Sequence, residues 1–166
     1  MVNYSNEAIR DSVVKHLIKN NLSITCMESC TSGLVSSMLT DTEGASAIFP
    51  GSVVTYSNSS KILSKVDPGV IEKYGVYSKE TACAMAESAQ KIYQTDIAIG
   101  VTGSTGNVDP NNKDSIAGEV HYAIIHKDKL EVFSFKADVS SLTRKEIKQL
   151  YAEEIFKTLA KLLKIL

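Results

Sequence analysis

Ser29, Tyr56 and Lys61 are the residues of this chain whose types and order could do covalent chemistry. A serine hydroxyl becomes a nucleophile when a neighbouring base takes its proton. The three histidines, His16, His121 and His126, fall on the first expected helix and in a late hairpin, which argues against a Ser-His-Asp arrangement. A lysine can replace histidine if burial lowers its pKa, because desolvation disfavours the charged form. Lys61 is the lysine that a cleft would bring nearest to Ser29, and Tyr56 could donate a hydrogen bond or relay the proton. A plainer role stands beside each: Ser29 or Thr31 as a helix N-cap, Lys61 as a solvated helix lysine, and Tyr56 as an amphipathic residue at the edge of the core.

The elements that must position these groups follow from the pattern of apolar residues. Met27-Glu28-Ser29-Cys30-Thr31-Ser32-Gly33 comes after a β-like run over 22–26 and before an apolar-periodic run through Leu34, Val35, Met38 and Leu39. It reads as a strand-to-helix turn whose Thr31–Gly33 N–H groups could hold a developing oxyanion. Ser52–Tyr56 is rich in β-branched and aromatic residues and reads as a strand, with Ser57 or Asn58 capping the helix that carries Lys61. Asp96–Thr102 is almost wholly apolar, as a strand covered on both faces should be. It leads into a long polar loop in which Thr102, Gly103, Ser104, Thr105 and Gly106 suit a phosphate or ribose. Arg144, near the start of the last helix, could pair with a phosphate or lie on the surface.

Elsewhere, Ser5 caps a first helix through Ile9, Val13 and Leu17, and residues 45–49 add a short helical turn. Pro68 starts a brief helix that Gly75 stops, and Ser78 caps a long one over 79–94 that buries Ala82, Met85, Ala86, Ala89 and Ile92. Runs over 118–126 and 130–137 form an antiparallel hairpin, and a final helix runs from about Ser141 to the end. The expected fold is therefore a three-layer α/β/α sandwich around a mixed sheet, mostly parallel, with a C-terminal antiparallel hairpin. The Ser29 turn, the Tyr56–Lys61 segment and the Gly103 loop all leave strands at their C-terminal ends, so one cleft could collect them.

Bulk properties bound the rest. At 166 residues the chain is expected to be a single domain over 1–166. A formal net charge of −1 removes the bulk electrostatic case for nucleic acid as a partner. No apolar run approaches a membrane span and the first residues lack a secretion signal, so a cytoplasmic location away from membranes is expected. Cys26, Cys30 and Cys83 are expected to be buried free thiols rather than a disulfide framework or a zinc site.

Several motifs in order resemble a known family. They are Glu28-Ser29-Cys30-Thr31-Ser32-Gly33, Gly51 through Thr55-Tyr56-Ser57-Asn58 to Lys61, Gly75-Val76 with Ser78, Gly100-Val101-Thr102-Gly103, and Ala117-Gly118-Glu119-Val120. With this spacing, over essentially the whole chain, the sequence is similar to the C-terminal domain of the competence and damage-inducible protein CinA. The stand-alone relatives of that domain are the PncC-type nicotinamide mononucleotide deamidases. The resemblance implies metal-free and cofactor-free hydrolysis of the carboxamide of nicotinamide mononucleotide to nicotinate mononucleotide and ammonia. It also implies a homo-oligomer. By carry-over Ser29 is the nucleophile and Lys61 its base, with Tyr56 alongside. Glu28, Thr31, Ser32, Gly33, Asn58, Thr102, Gly103, Ser104, Gly106 and Arg144 bind substrate. The chain departs from the family pattern at Ser32, where the family has glycine, and in the loop after Gly103. It also lacks the arginine of the Gly-Asp-Arg that the family carries before the last helix, and Arg144 stands slightly out of register with a second family arginine. These departures leave a competing reading, a catalytically impaired nucleotide-binding or protein-interaction module.

Overall fold

Side-chain alternation sorts the two faces of one five-stranded sheet. In the computed structural model, which describes residues 5–106, 109, 110, 112 and 115–166, the strands are β1 (Ile24–Glu28), β2 (Ser52–Val54), β3 (Ile97–Gly103), β4 (Glu119–His126) and β5 (Lys129–Lys136). Their order is β2-β1-β3-β4-β5. β1 pairs in parallel with β2 and β3, β4 runs antiparallel to β3, and β5 antiparallel to β4. Only β4 therefore runs against the others, so the expected mixed, mostly parallel sheet with a late hairpin is what forms.

The helices are α1 (Asn6–Lys19), α2 (Leu34–Thr40), α3 (Asn58–Leu63), α4 (Pro68–Tyr74), α5 (Lys79–Tyr93) and α6 (Arg144–Leu162). Ile24 and Cys26 of β1, Ile97, Ile99 and Val101 of β3, and Val120, Tyr122 and Ile124 of β4 pack toward α1, α2 and α6. The alternate residues Met27, Ala98, Ala123 and Ile125 face α5 with its Ala82, Met85, Ala86 and Ala89. Period-two alternation thus puts apolar side chains on both faces of the central strands, and every residue of β1 and β3 is buried.

α5 lies unusually close to β3. At Gly100 an added Cβ would overlap the Ala82 carbonyl oxygen and the Ala86 nitrogen, both backbone atoms of α5. A helix cannot yield there without moving as a body. Gly100→Ala is therefore expected to destabilise the fold by about 3 kcal/mol, seen as a lower urea midpoint, and an unchanged midpoint would refute this close approach.

Several boundaries differ from expectation. β1 begins and ends two residues later than the apolar run suggested, so Met27 and Glu28 belong to the strand and not to the turn. β2 stops at Val54, leaving Thr55 and Tyr56 beyond it. Neither Ser29 nor Thr31 caps α2; Gly33 occupies that position without a side-chain bond. α6 starts at Arg144, capped by Thr143 in a reciprocal pair with Glu146, and not at Ser141. Ile92, expected inside, is 42% exposed, because it falls outside the stripe of α5 that meets the sheet. Cys26, Cys30 and Cys83 are free thiols, the first two buried and Cys83 half-buried. No described helix is long and apolar enough to cross a membrane.

Candidate active site

The chain leaves β1 into α2 on one face of the sheet and leaves β2 into α3, α4 and α5 on the other. Adjacent parallel strands whose exits diverge open a crevice at their C-terminal ends. Here that crevice is a cavity of about 630 Å³, lined by Ser29, Tyr56, Asn58, Lys61, Gly103, Ser104 and Arg144 among others. Its size suits a small polar ligand such as a mononucleotide.

Ser29 and Lys61 meet at the floor. Ser29 continues β1 by donating its N–H to Val101 O at 3.0 Å. Lys61 projects from α3, whose start is fixed by a reciprocal capping pair between Ser57 and Ser60. The Lys61 Nζ stands 3.0 Å from Ser29 Oγ and 2.8 Å from the Thr55 carbonyl oxygen. Thr55 is itself tied to β1, because its N–H donates to Glu28 O at 2.8 Å. Lys61 is 1% exposed. Burial pulls its pKa down from 10.5 to about 8, since the low-dielectric surroundings penalise the ammonium. In the neutral amine, a hydrogen donated to the Thr55 carbonyl leaves the nitrogen lone pair for the Ser29 hydroxyl proton. The plainer roles therefore do not describe this pair: Lys61 is not solvated and Ser29 is not a cap.

Glu28 is placed differently from expectation. It shares a strand face with Ile24 and Cys26 and points at the start of α2, away from the cavity lining. Its buried carboxylate accepts from the N–H groups of Gly33 (3.0 Å), Val35 (3.1 Å) and Ser36 (2.8 Å), and from Ser36 Oγ (2.6 Å). This corrects the expected oxyanion donors. The Gly33 N–H is held by Glu28, and the Ser32 N–H closes the turn on Ser29 O at 3.0 Å. The Cys30 and Thr31 N–H groups instead lie against the Cys30 thiol, which burial pushes up to about 12.

Other expected substrate contacts are also engaged elsewhere. Ser32 is exposed with φ of 54°, and Thr31 Oγ1 is buried with no partner among the described residues. Thr102 Oγ1 donates to Val76 O at 2.8 Å, which pins the segment after α4 to the end of β3. Gly106 borders Ile147 of α6. None of Glu28, Thr31, Ser32, Gly33, Thr102 and Gly106 is among the described lining residues. Gly103 does line the cavity, yet its lack of a side chain serves β4, because a Cβ would come within 2.5 Å of Glu119 O. Tyr151 of α6 donates to the Ser104 carbonyl at 2.9 Å, so the last helix anchors the start of the Gly103 loop.

Tyr56 and Arg144 form the mouth. The Arg144 guanidinium donates to Tyr56 Oη at 2.7 Å, joining the first residue of α6 to the segment after β2. Among the described residues no hydrogen bond joins Tyr56 to Ser29 or Lys61, so the phenol meets Arg144 and not the floor. The sequence reading did not single out Tyr77 and Asp109 in the opposite wall. Tyr77 donates to Asp109 Oδ2 at 2.7 Å, and Asn112 Nδ2 donates to the same oxygen at 2.7 Å. Burial and the carboxylate together raise the Tyr77 pKa, so it remains a protonated donor. The signal available for this wall was the long loop itself, since loops of that length are seldom idle. Residues 107, 108, 111, 113 and 114 of the loop lie outside the described residues.

Comparison with known proteins agrees with this geometry. A CinA-like protein of Pseudothermotoga lettingae is 36% identical over 74% of this chain and 30% of its own length. One of Endomicrobium trichonymphae is 35% identical over 88% of this chain and 33% of its own length. The chain thus spans about a third of the length of these curated relatives. The crystal structure of a CinA superfamily protein from Klebsiella pneumoniae superposes with a TM-score of 0.88 at 19% identity, covering 98% of this chain and 100% of that one. Another from Escherichia coli gives 0.85 at 25% identity, covering 99% and 95%. The family model for the CinA C-terminal domain matches residues 6–163. With the sheet order, the crevice and the linked motifs all in agreement, this chain belongs to the CinA C-terminal domain family.

Proposed function

We propose that the chain is an amidohydrolase that deamidates nicotinamide mononucleotide to nicotinate mononucleotide and ammonia, with Ser29 as nucleophile and Lys61 as base. The observation that carries this reading is the buried Lys61 Nζ standing 3.0 Å from Ser29 Oγ. Lys61 takes the Ser29 proton as Oγ forms a bond to the carboxamide carbon, and the ammonium so formed is held by the Thr55 carbonyl. The carbon–nitrogen bond then breaks as Lys61 returns the proton to the departing nitrogen, releasing ammonia and leaving an ester on Ser29. Water, deprotonated by the same amine, attacks the ester, and the carboxylate product leaves with Ser29 restored.

The Cys30 and Thr31 N–H groups supply the oxyanion contact. A thiol is a weak acceptor, so these donors keep their capacity for a stronger one. Arg144 at the mouth takes the phosphate. Asn58, Gly103 and Ser104 border the ribose.

With a pKa of about 8, about a tenth of the Lys61 side chains are neutral at pH 7. The rate should therefore rise about tenfold per unit below pH 8 and level off above it. The experiment is ammonia release from nicotinamide mononucleotide across pH 6 to 9.5. A profile of that shape supports the reading, whereas a flat one removes Lys61 as the base. Nucleotide binding without any turnover would replace the enzyme with a binding module.

A further inference from the structure

Glu28 touches no part of the cavity, yet it is the residue to which both halves of the Ser29–Lys61 pair are fastened. Its carboxylate gathers the Gly33, Val35 and Ser36 N–H groups and the Ser36 hydroxyl. This sets the turn from Ser29 to α2, in which Ser32 and Gly33 take consecutive positive φ values of 54° and 90°. Its main-chain carbonyl accepts the Thr55 N–H at 2.8 Å, and the Thr55 carbonyl in turn accepts from Lys61. One end of Glu28 thus fixes where Ser29 points and the other fixes where Lys61 is held.

A buried carboxylate is a costly way to satisfy a helix start when serine, threonine or asparagine at the cap position does the same. What the carboxylate adds is reach. From the last strand position before the nucleophile it grips the helix beyond the turn, so strand, turn and helix become one rigid unit. It also occupies the α2 N-terminus, so the acyl oxyanion is directed to the Cys30 and Thr31 N–H groups, which face Ser29's end of the turn. Ser36 Oγ donates onward contact at 2.7 Å to Ser52 Oγ of β2, linking the carboxylate to the neighbouring strand.

We infer that Glu28 is the positioning residue of the nucleophile turn: it holds Ser29 Oγ in line with Lys61 Nζ without touching substrate. The inference rests on the Ser29–Lys61 reading of the site, and it assigns Glu28 a role in the rate of chemistry and none in binding. A misplacement of the nucleophile by about 1 Å costs about a hundredfold in rate. Gln keeps one accepting oxygen but turns an N–H₂ group toward donors, whereas Ala leaves all of them without a partner.

The test uses a fluorophosphonate probe, in which the serine oxygen bonds to phosphorus, fluoride leaves and Lys61 takes the serine proton. It reads nucleophile alignment whatever the natural substrate. Labelling rates per folded molecule are compared for wild type, Glu28→Gln, Glu28→Ala and Ser36→Ala, with kcat and KM for nicotinamide mononucleotide beside them. Expected are rates about tenfold lower for Glu28→Gln and about a hundredfold lower for Glu28→Ala, a smaller loss for Ser36→Ala, matching losses in kcat at unchanged KM, and a labelling midpoint that stays near pH 8. Glu28→Gln and Ser36→Ala keep the test decisive if Glu28→Ala does not fold. Variants that melt earlier yet label at the wild-type rate overturn the inference, and so does a loss confined to KM. A labelling midpoint displaced by a pH unit in Glu28→Gln overturns it too, because Glu28 would then act on the Lys61 charge. Absence of labelling at wild-type Ser29 overturns the site reading and this inference together. Labelling of wild type without ammonia release overturns only the choice of substrate.

Discussion

Lys61→Met is expected to lose at least about a thousandfold in kcat/KM for amide hydrolysis and to alter how stability responds to alkali. The activity loss follows from removing the base that Ser29 needs. The stability effect follows from burial. In the unfolded chain Lys61 titrates near 10.5, and in the folded chain near 8. Below pH 8 both states carry the proton, and the folded state bears the full cost of a buried ammonium. Between pH 8 and 10.5 the unfolded state binds the proton that the folded state has released, so stability rises with pH through that window.

The size of that rise is about 3 kcal/mol, from a displacement of about 2.5 pKa units at 1.36 kcal/mol each. Lys61→Met lacks the titration. The difference in unfolding free energy between wild type and Lys61→Met should therefore move by about 3 kcal/mol in favour of wild type from pH 7 to pH 11. Hydrogen bonds lost by the variant, such as that to the Thr55 carbonyl, do not depend on pH over this range and cancel from the change. Urea unfolding at a series of pH values measures it. Parallel stability profiles for the two proteins would show that Lys61 keeps an ordinary pKa, and the lysine-base mechanism would fall with it.

Ser29→Ala is expected to remove turnover by at least about ten-thousandfold while leaving a folded protein that still binds the nucleotide. Ser29 is buried, but its backbone and not its side chain holds the turn: its N–H reaches Val101 and its carbonyl accepts from Ser32. Deleting the hydroxyl costs the fold little. The informative comparison is the double variant Ser29→Ala/Lys61→Met. Groups that act as one unit do not add, so the double variant should be no slower than the worse of the two single variants. Additive losses, measured with the same ammonia assay, would mean that the two residues contribute through separate steps.

Much of the fold was legible because it is written in short-range patterns. Ser5, Ser57 and Ser78 stand at the helix starts they were expected to cap, and Pro68 and Gly75 bound α4. The apolar run of β3 marks a strand covered on both sides, and the alternation in β4 and β5 marks a hairpin. Each of these signals depends on residues a few positions apart. The start of α2 was misread because its cap is not local in that sense. Glu28 lies in a strand and caps a helix beyond two residues in left-handed conformation, and no propensity scale carries that geometry.

The candidate site divides along the same line. Residue types alone, with the family resemblance, designated Ser29 and Lys61, since serine and lysine without a nearby histidine leave few ways to activate a nucleophile. What residue types could not supply is direction. Thr102 is spent on Val76, Gly103 makes room for β4, and Tyr56 meets Arg144. All three are expected site residues whose partners lie at least 17 residues away in sequence. The Tyr77–Asp109 wall joins a segment after α4 to the loop after β3 and became visible only when both were in place.

The sequence by itself determined the elements, the mixed sheet and the identity of a nucleophile and its base. It could do so because periodicity, capping residues and turn chemistry act over one or two helical turns or along one strand. Only the tertiary structure decided that Lys61 is buried and therefore basic at a useful pH, that Glu28 faces away from the cavity, and which N–H groups remain for an oxyanion. Burial and hydrogen-bond partnership belong to pairs of distant segments, and a linear chain does not state them until the sheet has brought the ends of β1, β2 and β3 together.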